Sequence, residues 1–156
     1  TIANGGVRVT PTIVAGTTDA QGRLVAAAPA KRTRVISERT ARELTRMLEV
    51  AVSREGTGSL AMIDGYRVAG KTGTAQRYDQ DCRGYCGYTA SFVGFTPANQ
   101  PRLVALVVIQ APENGYYGGE IAAPVFKDVM TFALKTMKIP PNGADPTASA
   151  RIRTDG

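Results

Sequence analysis

The 156-residue sequence is long enough for one ordinary domain, and with 43% hydrophobic residues it can build a core. It contains no His, which excludes a Ser-His-Asp triad and a His-rich zinc site, so acid–base chemistry must come from Lys, Tyr, Asp or Glu. The net charge of +6 arises from 19 basic and 13 acidic residues. Because no aromatic RNA-binding signature accompanies the basic residues, we interpret them as a solvated face and expect no nucleic-acid partner.

The first part of the chain contains short β-rich stretches. Residues Val7–Val14 alternate in polarity, and a turn is predicted at residues 19–22, before the apolar pair Leu24-Val25. We interpret this region as a loose hairpin or arm. The chain starts without an initiator Met or a signal-peptide pattern, so we expect it to begin inside a longer protein. No apolar run approaches the ~20 residues that a membrane-spanning helix needs.

A helix is predicted from Ser37, a suitable N-cap, to about Arg54. Its apolar residues recur at the spacing of a core-facing helix, and two glycines end it. The expected core residues of this helix are Leu44, Met47, Leu48, Ala51 and Val52.

Three strands are predicted in the middle of the chain, over about Tyr66–Tyr78, Tyr88–Phe95 and Arg102–Gln110. The short link between the second and third strands permits them to pair antiparallel. The third strand is almost entirely aliphatic, and we therefore expect both of its faces to be buried.

A second amphipathic helix follows, with Pro124 in its first turn, where Pro is tolerated. Its apolar stripe consists of Phe126, Val129, Met130, Ala133, Leu134 and Met137. Pro140-Pro141 ends this helix, and residues 140–156 are predicted to form a disordered tail. The order of elements predicts an α+β fold, with an antiparallel sheet flanked by helices. Because the elements are too few for a complete domain, residues 1–139 are expected to be part of one.

The segment Gly65–Thr72 fits the P-loop pattern G-x-x-x-x-G-K-[ST] of nucleotide-binding proteins. A P-loop, however, wraps its amides around phosphates and leads directly into a helix. Here the residues between the two glycines are β-like, and Gly73 follows at once without a helical stripe. We therefore interpret the segment as part of a strand.

This strand combines one Lys with two Thr and several small residues. Alternation places Lys71 and Gly73 on one side of the sheet, while Thr72 and Thr74 fall on the other. Such a strand suits an extended peptide that ends in a carboxylate. The Lys supplies positive charge, the Thr hydroxyls donate hydrogen bonds, and the Gly lets a ligand backbone approach along an exposed edge. A purely structural strand would explain none of these residue choices.

Cys82 and Cys86 are separated by three residues. This spacing differs from the C-x-x-C of redox motifs, and neither a second pair nor a His is present to complete a zinc site. A small disulfide that pins the loop, in an oxidising compartment, and two free thiols both fit the sequence.

Several segments in a fixed order carry a family resemblance: Ile2–Gly6, Val68–Thr74, Ala90–Phe95, Gly118-Gly119 and Ala123–Phe126. Together they resemble the class B penicillin-binding proteins, most closely the cell-division (septal) type, and the Cys-bearing loop has an actinobacterial look. K-T-G, here Lys71-Thr72-Gly73, is one of three motifs of the penicillin-recognising serine enzymes, beside S-x-x-K and S-x-N. The resemblance spans about residues 1–141 and implies the C-terminal portion of the penicillin-recognising serine transpeptidase fold.

The resemblance also implies roles for the matching residues of the K-T-G strand. Lys71 would anchor the substrate carboxylate and help to move protons near the serine. Thr72 and Thr74 would hydrogen-bond the donor peptide or the carboxylate of a β-lactam. The backbone N–H of Thr74 would be one of two oxyanion-hole donors, and such a donor is typically worth ~3 kcal/mol of transition-state stabilisation.

Three tyrosines are candidates for substrate binding. Tyr116 and Tyr117 match the aromatic pair that walls the acyl pocket of the family, and Tyr88 is a weaker candidate for the same wall. A packed loop tip is the alternative for these tyrosines. The resemblance implies neither a metal nor an organic cofactor.

The other two motifs of the family do not occur in this sequence. None of its serines has a Lys at the third following position, and no S-x-N is found. Both motifs precede K-T-G in the family. We therefore expect the nucleophile on a missing N-terminal part of the same protein, and we expect this chain alone not to acylate.

The predicted function is part of a D,D-transpeptidase that cross-links peptidoglycan stem peptides through an acyl-serine, with β-lactams as covalent inhibitors. The resemblance implies cell-division proteins as partners and an extracytoplasmic location, anchored to the membrane through a segment absent from this chain. That location would allow a disulfide between the two cysteines.

Two alternatives to this function remain. The first is a D,D-carboxypeptidase or β-lactamase relative, although the Gly-Tyr-Tyr-Gly-Gly loop at residues 115–119 argues for a transpeptidase. The second is a non-catalytic peptide-binding or sensor module, against which the intact K-T-G-T sequence argues.

Overall fold

The structure is a computed structural model that describes residues 1–141 and 143. The chain divides into two compact units, Thr1–Arg42 and Glu43–Gly156, and the boundary falls inside the first helix. Of the tail predicted over residues 140–156, all but residues 140, 141 and 143 lies outside the described residues. Within the described part of the chain, no helix has the length and apolarity that crossing a membrane would require.

The first unit contains two small antiparallel ribbons. One consists of β1 (Val7–Val9) and β4 (Arg32–Arg34), the other of β2 (Gly16–Thr18) and β3 (Leu24–Ala26). The predicted hairpin is confirmed by β2 and β3 on either side of residues 19–22, while only Val7–Val9 of the β-rich stretch Val7–Val14 forms a strand. Pairing along the first ribbon ends when the Thr10 N–H donates to the carbonyl of Lys31 at 2.9 Å, because Pro11 has no N–H to continue it.

The predicted turn at residues 19–22 is confirmed, and Asp19 holds it. Its carboxylate accepts the backbone N–H groups of Arg23 and Gln21, each at 2.9 Å. Hydrogen bonds to the ionised form favour it, so they lower the pKa of Asp19, the bond from the Arg23 backbone most of all.

Helix α1 (Glu38–Val52) begins where the sequence predicts. The Ser37 hydroxyl accepts the N–H of Thr40 at 3.0 Å, which confirms the N-cap. Val52 is buried as expected, but Met47 is 66% exposed, so the predicted apolar stripe is only partly correct. Glu49 is buried instead, because Arg67 neutralises it through two bonds of 2.7 and 2.8 Å.

The second unit is built on a three-stranded antiparallel sheet of order β5-β6-β7. Its strands are β5 (Ala69–Asp79), β6 (Gly84–Thr96) and β7 (Leu103–Gln110), and a short 3-10 helix (Ser59–Ala61) precedes them. All three predicted strands are confirmed, as is the antiparallel pairing of the last two. The β5–β6 hairpin is longer than predicted, since β6 begins at Gly84 rather than near Tyr88.

Helix α2 (Gly118–Thr136) covers one face of this sheet. Phe126, Met130 and Leu134 are buried on it, and the rings of Phe92 and Phe126 lie 4.8 Å apart. Val129 and Met137, which were predicted on the same stripe, are about half exposed. The helix starts at Gly118, so the placement of Pro124 in its first turn was wrong.

Strand β7 is half-buried on one face and exposed on the other, which overturns the expectation that both faces are buried. Leu103, Ala105, Val107 and Ile109 pack against the core, whereas Val104, Leu106 and Val108 are 70%, 63% and 49% exposed. The reason is that α2 lies against a single face of the sheet. We call the exposed side of the sheet the open face and the side under α2 the covered face.

Candidate active site

The K-T-G residues lie at the start of β5, which is an edge strand. Within the described residues, β5 pairs only with β6, so the backbone groups along its other edge have no strand partner. Lys71 is exposed, and its Nζ donates to the carbonyl of Thr72 at 2.9 Å and to the Thr72 hydroxyl at 3.2 Å. Because Gly70-Lys71-Thr72 is strand and is followed by more strand, a P-loop is excluded.

The register of the hairpin confirms the predicted alternation. Thr72 and Thr74 pair with Phe92 and Ala90, which lie on the covered face. Lys71 pairs with Val93 on the open face. The motif therefore places its cation on one face of the strand and its hydroxyls on the other.

The N-terminus of α2 packs tightly against this strand. The N–H of Gly118 donates to the Thr74 hydroxyl at 3.1 Å. A Cβ on Gly118 would collide with the carbonyl oxygens of Ser91 and Gly73, and one on Gly119 with the carbonyl of Thr57. Gly-Gly begins the helix here because only residues without a side chain allow this approach.

Thr57 is a neighbour of the motif that the sequence analysis missed. Its hydroxyl lies 3.4 Å from that of Thr72, at the upper limit for a hydrogen bond. Thr57 stands in the loop after α1, far from the motif in sequence, and no spacing rule connects the two. Its position between Gly56 and Gly58 was the one available signal.

The three predicted tyrosines come together in the structure. Tyr88 stacks on Tyr116 with ring centroids 4.4 Å apart, and Tyr116 lies 4.3 Å from Tyr117. The Tyr116 hydroxyl donates to that of Tyr117 at 3.1 Å, and this bond to the neutral phenol raises the pKa of Tyr116. Since Tyr117 directly precedes Gly118, the cluster stands beside Thr74.

The β5–β6 hairpin continues past this cluster to a closed tip. Gln76 pairs with Tyr88 and Tyr78 with Tyr85, so β6 contains one extra residue, a β-bulge. The sulfur atoms of Cys82 and Cys86 are joined across the tip, with their Cα atoms 6.6 Å apart, a separation that a disulfide spans. Near the tip, Arg77 pairs with Asp79 at 2.6 Å.

A cavity also lies away from these residues. A cavity of about 210 Å³ is lined by α1 and by the segment that leads into β5, including the Glu49–Arg67 ion pair. None of the predicted site residues lines it. Among the residues that the structure describes, no cluster of three or more potential metal ligands occurs. The site is thus an open strand edge with an aromatic wall.

Comparisons with known proteins agree with this arrangement. Residues 1–131 match the family described as the penicillin binding protein transpeptidase domain. The chain is 37% identical to penicillin-binding protein PbpB of Mycolicibacterium smegmatis over 150 residues, which is 90% of this chain and 23% of that protein. It is 43% identical to peptidoglycan D,D-transpeptidase FtsI of Escherichia coli over 115 residues, 73% of this chain and 20% of that protein.

Solved structures give the same result. Penicillin binding protein 3 from Mycobacterium tuberculosis, complexed with ampicillin, superposes with a TM-score of 0.83 at 33% identity, covering 93% of this chain and 34% of that one. The transpeptidase domain of penicillin-binding protein 3 from Burkholderia pseudomallei gives 0.72 at 40% identity, covering 92% and 41%. These likenesses confirm the expected α+β fold. The chain spans about a quarter or less of the two curated relatives described above.

Proposed function

Since this chain belongs to the penicillin-binding protein transpeptidase family, class B, we propose that it forms the C-terminal part of a peptidoglycan D,D-transpeptidase. The observation that carries the proposal is the K-T-G strand at a free sheet edge, with the α2 N-terminus bound to Thr74 and stacked tyrosines beside it. A serine from the rest of the protein attacks the donor stem peptide and releases its terminal residue. The amino group of an acceptor stem then takes over the acyl group, which restores the serine.

In this reaction Lys71 attracts the terminal carboxylate of the donor peptide to the strand. The peptide pairs with the free edge of β5, where Gly73 presents no side chain to obstruct it. The backbone N–H of Thr74 donates to the developing oxyanion. Thr72 and Thr74 contribute hydroxyls, and Tyr116, Tyr117 and Tyr88 form the wall of the acyl pocket. A β-lactam enters the same site and acylates the same serine.

The apolar open face of the sheet supports the assignment to a larger domain. Exposed contiguous apolar surface commonly marks an interface, and the side chains of Val104, Leu106 and Val108 face solvent in this chain. We place the rest of the transpeptidase against this face. The resemblance of the sequence to the septal type of this family favours cell-division proteins as partners. It also favours an extracytoplasmic, membrane-anchored parent, in which the Cys82–Cys86 bridge persists.

The test is acylation of the complete transpeptidase by a fluorescent penicillin, with the labelled residue identified by mass spectrometry. Lys71→Ala should slow labelling by roughly 10²–10³-fold, which is the usual loss of rate when one preorganised electrostatic contact is removed from an active site. Lys127→Ala, which removes an exposed lysine of α2, is the matched control and should label normally.

Each result separates one part of the proposal from the others. An unlabelled complete protein would rule out the enzyme and favour a non-catalytic binding module. Labelling of this chain alone would contradict the inference that the serine lies elsewhere. Normal labelling of Lys71→Ala would remove the K-T-G strand from the mechanism. Rapid release of the acyl group to water would favour a β-lactamase.

A further inference from the structure

Aromatic side chains continue along the hairpin beyond the acyl pocket. The strand β7 pairs only with residues 89–96 of β6, so the outer part of the β5–β6 hairpin extends past the sheet. Tyr78 and Tyr85 form a cross-strand pair there, with ring centroids 5.8 Å apart and planes at 83°. Register places this pair on the same side as Tyr88. With Tyr116 and Tyr117, a track of five tyrosines runs from α2 to the hairpin tip.

The outer pair is not part of a core. Tyr78 is 56% exposed and Tyr85 is 70% exposed, and the Cys82–Cys86 bridge closes the tip without them. Tyr is rigid and amphipathic, and an exposed cluster of such rings is typical of ligand contact surfaces. The arrangement of the two rings, edge to face, leaves aromatic surface open to solvent.

The direction of the bound peptide determines which part of a substrate meets this pair, and here the inference rests on the proposed function. A peptide whose carboxylate lies near Lys71 and whose scissile carbonyl lies at Thr74 must run antiparallel to β5. Its N-terminal end therefore points towards the hairpin tip. From Thr74 to Tyr78 the strand covers ~13 Å, at about 3.3 Å per residue. A stem peptide of a few residues is long enough to place its sugar-bearing N-terminal end beside Tyr78.

We propose that Tyr78 and Tyr85 form an outer subsite for the N-acetylated amino sugar at the N-terminal end of the donor stem peptide. A pyranose ring presents a face of C–H groups, which the electron-rich face of a tyrosine ring attracts. The phenol hydroxyls are available for the sugar hydroxyls and the acetamide. The bridge at the tip keeps both rings in place when the ligand is absent.

The experiment measures protection of the complete transpeptidase from fluorescent penicillin by two probes. One is a disaccharide pentapeptide, and the other is the same pentapeptide without sugars. The readout is the ratio of the concentrations that give half protection. In the wild type the sugar-bearing probe should be stronger by ~10-fold, and Tyr78→Thr/Tyr85→Thr should bring the ratio close to one. Thr preserves strand propensity while removing the ring.

The matched variant is Tyr78→Phe/Tyr85→Phe, which keeps both rings and should retain most of the ratio. A ratio of one in the wild type, or an unchanged ratio in the Thr variant, would overturn the subsite. The double Thr variant is replaced if it distorts the hairpin and no longer reacts with penicillin. The single variant Tyr85→Thr, which changes the more exposed ring, is then measured, and the same ratio of half-protection concentrations tests the subsite. Failure of the wild type to label with penicillin would instead contradict the proposed function.

Discussion

The two faces of the three-stranded sheet differ although the same strands build both. On the covered face, Phe92 and Ala90 are completely buried beneath α2. On the open face, Leu106 and its neighbours are equally apolar but remain exposed. Lys71 belongs to the open face, while the hydroxyl of Thr74 belongs to the covered one. In the described part of the chain, α2 therefore covers the face that carries the Thr74 hydroxyl, and the face that carries Lys71 stays exposed.

The covered face stabilises the fold, whereas the candidate site also uses the open face, where Lys71 lies. The covered face has its packing partner within the chain, so it fixes the geometry of the hairpin. The open face depends on whatever lies against it, which we propose to be the remainder of the transpeptidase. Four single substitutions test this difference between the two faces.

The largest effect is expected from Phe92→Ala on the covered face. Phe92 is fully buried and packs against Phe126, and truncating such a residue costs ~3–5 kcal/mol in the free energy of unfolding. Urea denaturation of the protein should show this loss as a lower midpoint with an unchanged slope. A loss below ~1 kcal/mol is no larger than that of an average point substitution. It would mean that α2 does not bury this face of the sheet.

Gly118→Ala should have the second-largest effect. The added Cβ would meet the carbonyl oxygens of Ser91 and Gly73, and such overpacking typically costs ~1–3 kcal/mol. Acylation should slow as well, because the N–H that binds Thr74 would move away from it. Gly84→Ala is the matched control, since its Cβ would meet nothing closer than the carbonyl of Cys82 at 3.8 Å. Equal stability of the two variants would contradict the tight packing.

Leu106→Ala on the open face should change the free energy of unfolding of this chain by no more than ~0.5 kcal/mol, as is usual for exposed positions. In the complete transpeptidase the same exchange should cost several times as much, because the side chain is then covered. Parallel denaturation of the two proteins makes the measurement. A small effect in both would show that the open face stays open, and would remove one support of the proposed domain assignment.

The smallest effect concerns Tyr116, at the rim of the covered face. Its hydrogen bond to Tyr117 raises its pKa in the folded state. The corresponding stabilisation is complete below the unfolded-state pKa of about 10 and is lost as pH rises through the raised folded value. Melting temperatures of the wild type should therefore fall more between neutral and strongly alkaline pH than those of Tyr116→Phe. Tyr85→Phe serves as the control and should follow the wild type.

Much of this architecture could be predicted from the sequence, and the exceptions have physical causes. Ser37, the three strands and the alternation around Lys71 follow local rules, and the structure confirms them. In β7 every residue from Leu103 to Ile109 is aliphatic, so no polar residue indicates which face lacks a cover. Only the position of α2 decides that.

The start of α2 was missed because Gly118-Gly119 was assigned to a loop, and the outer hairpin because the second strand was predicted to begin near Tyr88. Gly118 begins a helix because of the strand beneath it, and Gly84 and Gly87 lie in or beside a bulged strand. The start of α2 depends on contacts between residues distant in sequence, whereas the outer hairpin pairs residues that are close in sequence, such as Asp79 and Gly84. Tyr78 and Tyr85 face each other only through the bulged register, which the spacing of residues alone does not reveal.

The bond from Gly118 to Thr74 gives that hydroxyl a directional preference. A hydroxyl has one hydrogen to donate, and here a backbone N–H already occupies part of its accepting capacity. The hydroxyl keeps its hydrogen and one lone pair for other partners. The terminus of α2 thereby fixes the orientation in which Thr74 offers this remaining hydrogen-bonding capacity.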